Sequence, residues 1–381
     1  MNRSKKFLMS LLILSLTAMP VSAFAEETSE PTSLELTGVN VVHQESVEVS
    51  SSKLEDILDA AKGAIAEERG AGTSFTKSAD QKTYDYITFD DQYTYFYEEA
   101  ADREPQLIVV DKADSNVEDL LSSNPNESNF EATASSSGFI SDGVGGRVDV
   151  TTTGSVGSYL MGIMSLPNAG DVSLDRPTHV AFNYGGFEYS SGKADGIGSW
   201  AADMGLELYG NLGPGVNSYG WKPVIILKKK MRATTKENSG WDQYGTAFES
   251  GHNQVQFRNG YKPGTSPLIY WWYNYNGKVR MKIDGWAISP DMSGDKLEDK
   301  HLITILESSG NHNIPSISRW KLLSTVVSAD DTGKNMTNFK SLQLNGSPLT
   351  NAAINNPQRD HSYIDITSSN SVSIVVNSNI Y

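Results

Sequence analysis

The chain has 381 residues, a formal net charge of −15 and no cysteine. Without thiols there is no disulfide framework, no thiolate metal site and no lipid-modified cysteine anchor. The acidic field disfavours nucleic acid and anionic polymers as general partners and suits a protein living outside the cell, or one that binds neutral or cationic ligands.

Residues 1–25 have the three parts of a secretory leader. Arg3, Lys5 and Lys6 supply the positive start, Phe7 to Met19 an apolar run, and Ala23-Phe24-Ala25 a small-residue cleavage site. The apolar run is shorter than the ~20 residues a spanning helix needs. Cleavage after Ala25 is therefore expected, leaving a secreted, extracellular chain with no membrane segment and a charge of −18 once those three cations are gone.

A mature length of about 355 residues exceeds the usual size of one hydrophobic core, so more than one unit is expected. Residues 26–50 have the composition of a polar tether. Beyond Ser52, the helical spacing of Leu54, Ile57, Leu58, Ala61 and Ile65 predicts an amphipathic helix, which Gly70-Ala71-Gly72 ends. Residues 84–97 and 107–110 read as strands, which makes 51–112 a small α+β unit. Ser, Asn and acidic residues over 113–137 read as a linker. From residue 138 to 381, short apolar runs alternate with Gly, Asn, Asp and Ser turns, spaced as in a β-sandwich or jelly roll.

Asn276-Gly277 is the strongest local signal, a two-residue type I′ turn between PLIYWWYNY and KVRMKI. A regular hairpin around it pairs Tyr275 with Lys278, Tyr273 with Arg280 and Trp271 with Lys282. It places Tyr270, Trp272, Val279, Met281 and Ile283 on a core face. The other face carries Trp271, Tyr273, Tyr275, Arg280 and Trp286 beside Lys278, Lys282 and Asp284. Rings beside hydrogen-bonding groups suit a sugar, whose C–H face stacks while its hydroxyls bond. Trp271, Tyr273, Tyr275, Arg280 and Trp286 are thus the candidate ligand-binding residues; cross-strand packing alone also accounts for them.

Catalytic signals are sparse. Glycosidases use carboxylates ~5–5.5 or ~6.5–9.5 Å apart. Asp203 and Glu207 share a strand face but lie ~13 Å apart, and Glu188 would have to approach Glu207 from another strand. His252, in HNQVQFR, supplies a base for elimination on a uronate. Glu188, Glu207 and His252 are the catalytic candidates. No histidine spacing suggests zinc. Asp291, Asp295 and Asp299 offer oxygen ligands for structural calcium without the glycine and glutamate positions of an EF-hand.

Residues 138–286, on stretches such as SSSGFISDGVGG, FNYGGFEYSSGKADGIGSWAADMGLELY and GWKPVIILKKKM, resemble the YrpD-like family of exported proteins from bacilli. That resemblance implies secretion and a β-rich domain. FEYSSG…GLELY and YNYNGKVRMKIDG are also similar to strands of concanavalin A-like sandwiches, a shape shared by lectins and glycan-cleaving enzymes. The leading expectation is an extracellular, lectin-like domain for a neutral polysaccharide or cell-wall glycan. A glycoside hydrolase or polysaccharide lyase, and a structural or surface-interaction protein, are the alternatives.

Overall fold

In the computed structural model the described residues are 31–36, 38–44, 47–71, 82–90, 92–111, 143–151, 157–173, 179–188, 201–210, 218–229, 240–245, 259–290, 296–308, 312–328, 330–350 and 352–379. They are mainly β. In chain order the elements are β1 (Pro31–Leu36), β2 (Val39–Gln44), α1 (Ser51–Ala71), β3 (Lys82–Phe89), β4 (Tyr93–Ala100), β5 (Arg103–Asp111), β6 (Gly143–Val150), β7 (Tyr159–Ser165), β8 (His179–Glu188), β9 (Ala201–Gly210) and β10 (Tyr219–Lys229). They continue with β11 (Gly240–Gly245), β12 (Gly260–Tyr261), β13 (Leu268–Tyr275), β14 (Lys278–Pro290), β15 (Leu297–Glu307), β16 (Arg319–Ser328), β17 (Lys334–Leu344), β18 (Ser347–Pro348), β19 (Ile354–Asp360), β20 (Ser362–Ser368) and β21 (Ser371–Asn377).

Hydrogen bonds link all of these strands. One run goes β19-β6-β16-β8-β9-β10-β11, every pair antiparallel. A second goes β20-β21-β17-β7-β13-β14-β15-β3-β4-β5-β2-β1, with β15–β3 and β5–β2 parallel. Short β12 joins the two, pairing Trp221 of β10 with Tyr261 and Tyr261 with Ala287 of β14.

The two runs share one core. Val148, Phe187, Met204 and Ile225 from the first meet Leu160, Trp271, Met281 and Phe339 from the second. At its centre Gly185 makes room for Trp271, since a Cβ there would stand 2.8 Å from the indole. The Trp271 indole N–H donates to the Met204 carbonyl at 2.8 Å, so the buried ring leaves no unpaired donor.

Helix α1 builds a second core on the other face of the second run. Leu54, Ile57, Leu58, Ala61 and Ile65 are its buried residues, the apolar stripe expected from their spacing. They pack on Tyr84, Tyr86, Tyr95 and Leu107, and also on Ile303 and Ile305 of β15. Ser50 caps the helix: the Lys53 backbone N–H donates to Ser50 Oγ at 3.3 Å. Through the β15–β3 pairing, β3–β5 and the strands from β6 onward belong to one continuous sheet, with α1 packed on it.

Candidate functional site

Asn276 and Gly277 form the expected turn, with φ of 51° and 88° and Tyr275 opposite Lys278. The register beyond it differs from a regular hairpin. Trp272 pairs with Arg280 and Trp271 with Met281, so Tyr273 and Asn274 together oppose Val279. This is a β-bulge, and one extra residue reverses the faces of everything before it on that strand. Asn274 stabilises it, accepting the Gly277 N–H at 2.9 Å and donating to the Ile314 carbonyl at 2.9 Å.

The bulge corrects the expected face of β13 while β14 keeps its phase. Trp271, expected on the ligand face, is fully buried, at 0% exposure. Tyr270 and Trp272, expected in the core, lie on the outer face, with Lys282 4.2 Å over the Tyr270 ring and Arg280 5.8 Å from Trp272. Tyr273 turns to Phe187 and Trp320, with ring centroids 6.1 and 5.9 Å away. Tyr275 and Arg280 do lie together on the outer face, where Tyr275 donates to Glu67 of α1 and Arg280 Nη1 stands 3.6 Å from the same carboxylate.

Trp286 is different. It lies on the outer face of β14 and is 50% exposed. Its ring meets that of His301 edge-on, with centroids 5.6 Å apart at 65°. His301 Nε2 in turn lies 2.8 Å from Asp284 Oδ1, which fixes the imidazole under the indole. Two residues farther along the same face of β14, Ile288 lines an open groove of about 420 Å³ with Ala169, Ser218, Tyr219, Lys262 and Asp299, among others; the Trp286 ring stands next to this groove and is not part of its wall. Lys262 donates its backbone N–H to the Trp286 carbonyl, which ties the groove wall to the strand that carries the indole. Its ammonium bonds Asp299 at 2.6 Å across the strand. A half-exposed ring, an apolar floor and a fixed pair of polar heads are the parts that recognise a small polar ligand.

Of the carboxylate candidates, only Asp299 lies at this groove, paired with Lys262, while Asp291 and Asp295 lie outside the described residues. Among the described residues no group of three or more His, Asp or Glu is placed to hold a metal. His252 is also outside them. Glu188 stands opposite Ala201 and Glu207 opposite Phe182, so six residues of strand, ~20 Å, separate these two carboxylates. They do not form a pair.

Glu188 instead closes a charge network on the outer face of the first run. It accepts from Arg147 at 3.0 Å and from Arg319 Nε at 2.9 Å, while Arg319 Nη1 reaches Asp149 at 2.9 Å. Lys321 crosses over Gly186 to meet Asp203 at 2.6 Å, and a Cβ on that glycine would crowd the lysine stem at 3.1 Å. Burial alone would raise the Glu188 carboxyl; Lys321, Arg147 and Arg319 outweigh it and hold it below the usual range. A carboxylate held ionised in this way is a poor proton donor.

Two arrangements escaped sequence reasoning. Asp284 and His301 are 17 positions apart and meet only through the β14–β15 register. Asp85 and Glu98 face each other across β3–β4, and the Asn259 amide donates to both. Burial, with Glu98 adding, pushes the Asp85 carboxyl well up. Burial also raises Glu98, but Lys300, Asn259 and Arg103 outweigh it and hold Glu98 low. None of these pairs has a local motif.

Comparison with known proteins places the sequence in a family. Residues 137–376 match the family described as "Domain of unknown function, YrpD". The chain belongs to the YrpD family. "Uncharacterized protein YrpD" of Bacillus subtilis (strain 168) is 25% identical over 245 residues, 64% of this chain and 86% of that protein. Solved structures matched include scytalido-glutamic peptidase with a transition state analog inhibitor, at TM-score 0.31 and 10% identity. SCP-B, of the Eqolisin family of peptidases in complex with the tripeptide Ala-Ile-His, gives TM-score 0.28 and 10% identity. Both alignments cover 61% of this chain and 98% of the other. The YrpD region contains the hairpin, the Trp286 groove and the Glu188 network; α1 and β3–β5 precede it.

Proposed function

We propose that this chain is an exported, non-enzymatic glycan-binding protein that takes a neutral sugar against Trp286. On this reading the two strand runs are the layers of a β-sandwich of the concanavalin A-like kind, and the leader is removed after Ala25. The observation that carries the reading is the exposed Trp286 indole, braced by His301 and Asp284 beside the groove of Tyr219, Lys262 and Asp299. Large exposed rings are costly to leave in water, and a pre-positioned one loses little freedom on stacking a sugar. The Lys262–Asp299 pair offers a donor and an acceptor for hydroxyls at the groove edge.

The test is incubation of the mature protein with a panel of soluble and insoluble neutral polysaccharides, with bound protein and released sugars measured together. Retention without released sugar is the expected result. Product release would replace the reading with a glycan-cleaving enzyme, and neither retention nor release on the panel would overturn it.

A further inference from the structure

Arg280 has a hydrogen bond with Tyr275 but no close carboxylate, whereas Lys278 and Lys282 beside it have carboxylates at 2.7 and 2.8 Å. The arginine is 4% exposed and its Nε has no hydrogen-bond partner. The nearest carboxylates, Glu67 on Nη1 and Glu307 on Nε, both stand at 3.6 Å. Close charge-assisted bonds run at about 2.7–2.9 Å, so neither carboxylate grips the guanidinium. Its planar face lies 4.0 Å from the centre of the Tyr275 ring.

The two carboxylates differ in how firmly they are held. Glu307 is committed to Lys278 at 2.7 Å and to the Tyr86 hydroxyl at 2.9 Å. Glu67 is 56% exposed at its side chain and meets the hairpin through Tyr275 and the loose Arg280 contact. It also sits in the last turns of α1, where the helix dipole disfavours a negative charge. Its neighbour Glu68 is anchored by contrast, accepting from Lys282 at 2.8 Å.

We propose that Arg280 anchors a second binding site, for the carboxylate of an acidic sugar, and that Glu67 is its displaceable internal occupant. A uronate residue would enter where Glu67 now lies, its carboxylate taking the guanidinium fork bidentately and its C–H surface lying against Tyr275 and Trp272. Bidentate capture is the geometry a guanidinium favours and the present contacts do not supply. A sugar is favoured over an acidic peptide because the flanking groups are rings, with Trp272 and Tyr275 centroids 5.4 Å apart. The site lies ~20 Å along β14 from Trp286, so it does not depend on the neutral-sugar reading of that groove.

The test uses the full mature chain, with trigalacturonate as probe, triglutamate as the acidic peptide control and binding followed by calorimetry at low and high salt. Glu67→Gln is expected to tighten trigalacturonate about tenfold by weakening the internal competitor. Arg280→Gln is expected to abolish binding, and salt to weaken it in the parent. Where Arg280→Gln fails to fold, Glu67→Gln alone decides. No gain in Glu67→Gln would overturn the proposal, as would equal or tighter binding of triglutamate.

Discussion

Asp85 on β3 and Glu98 on β4 stand directly opposite one another, and one side-chain amide, that of Asn259, donates to both carboxyl groups. Two like charges at that range cannot both be comfortable, and their surroundings separate them. Asp85 is fully buried, while Glu98 has Lys300 at 3.1 Å and Arg103 at 3.4 Å. The pair locks the β3–β4 hairpin to β12, the strand that links the two runs.

A pH dependence follows. The folded Asp85 carboxyl is raised, chiefly by burial, so the folded chain binds this proton more tightly than the unfolded one. Its contribution is fully present below the ordinary carboxylate range and declines as pH rises from about 4 toward the raised folded value. Glu98 runs the other way: burial opposes its ionisation, but the cations prevail, so its contribution is present above its unfolded range and lost on acidification. Asp85→Asn, which keeps an acceptor for Asn259, should raise the melting temperature at pH 7 and flatten its fall between about pH 4 and 7. A lower melting temperature with an unchanged slope would contradict this assignment.

Trp271 and Trp286, on the same hairpin, should behave oppositely on unfolding. Trp271→Ala removes a fully buried ring whose space Gly185 was shaped to admit, and should cost about 3–5 kcal/mol. Gly185→Ala drives a methyl into that ring from the opposite run and should cost about 1–3 kcal/mol. Trp286→Ala should stay within about 0.5 kcal/mol. Urea unfolding of the three variants checks the order, and a large loss for Trp286→Ala would show that ring to be structural.

How much of this was legible depended on whether the local sequence carried the cause. The helix was readable because its burial follows a 3.6-residue stripe that Leu54 to Ile65 display. The Asn276-Gly277 turn was readable because it demands two positive φ angles. The face of Trp271 was not, because it depends on Asn274 folding back to Ile314, a contact 40 residues away. β6 carries no strand pattern in its sequence, because GVGGRVDV has glycines where its neighbours need close approach: a Cβ on Gly146 would meet Ile374 at 2.5 Å. β17 and β19 were obscured by bulges, with Ser341 and Asn356 at positive φ. Asp284–His301 and Asp85–Glu98 arise from strand register, which single-strand patterns do not encode.

Glu188 is expected to act as a structural ion. Its carboxyl is partly buried, yet Lys321, Arg147 and Arg319 keep it ionised, so its stabilisation is present at neutral pH and lost as pH falls through its lowered folded value. Glu188→Gln should cost about 1.5–3 kcal/mol through its charged hydrogen bonds and leave polysaccharide retention unchanged. Chemical unfolding at pH 7 and at pH 4 measures the first part, with the gap between variant and parent narrowing at the lower pH.

His301 is a positioning residue on this account. His301→Ala leaves Trp286 in place but removes the ring that braces it, an edge contact of about 0.5–1.5 kcal/mol. Retention on the preferred polysaccharide should weaken by roughly two- to tenfold. Tryptophan fluorescence anisotropy should show a freer indole in the variant, with urea unfolding of the same preparation showing that the fold is retained.

The most direct test of the central claim is the dissociation constant of Trp286→Ala, beside the parent, for the neutral polysaccharide that retains the parent best. Urea unfolding of the same preparations serves as the control. The account predicts that binding falls at least about tenfold while the unfolding midpoint is unmoved. Binding equal to that of the parent would contradict it and move the ligand away from the Trp286 groove.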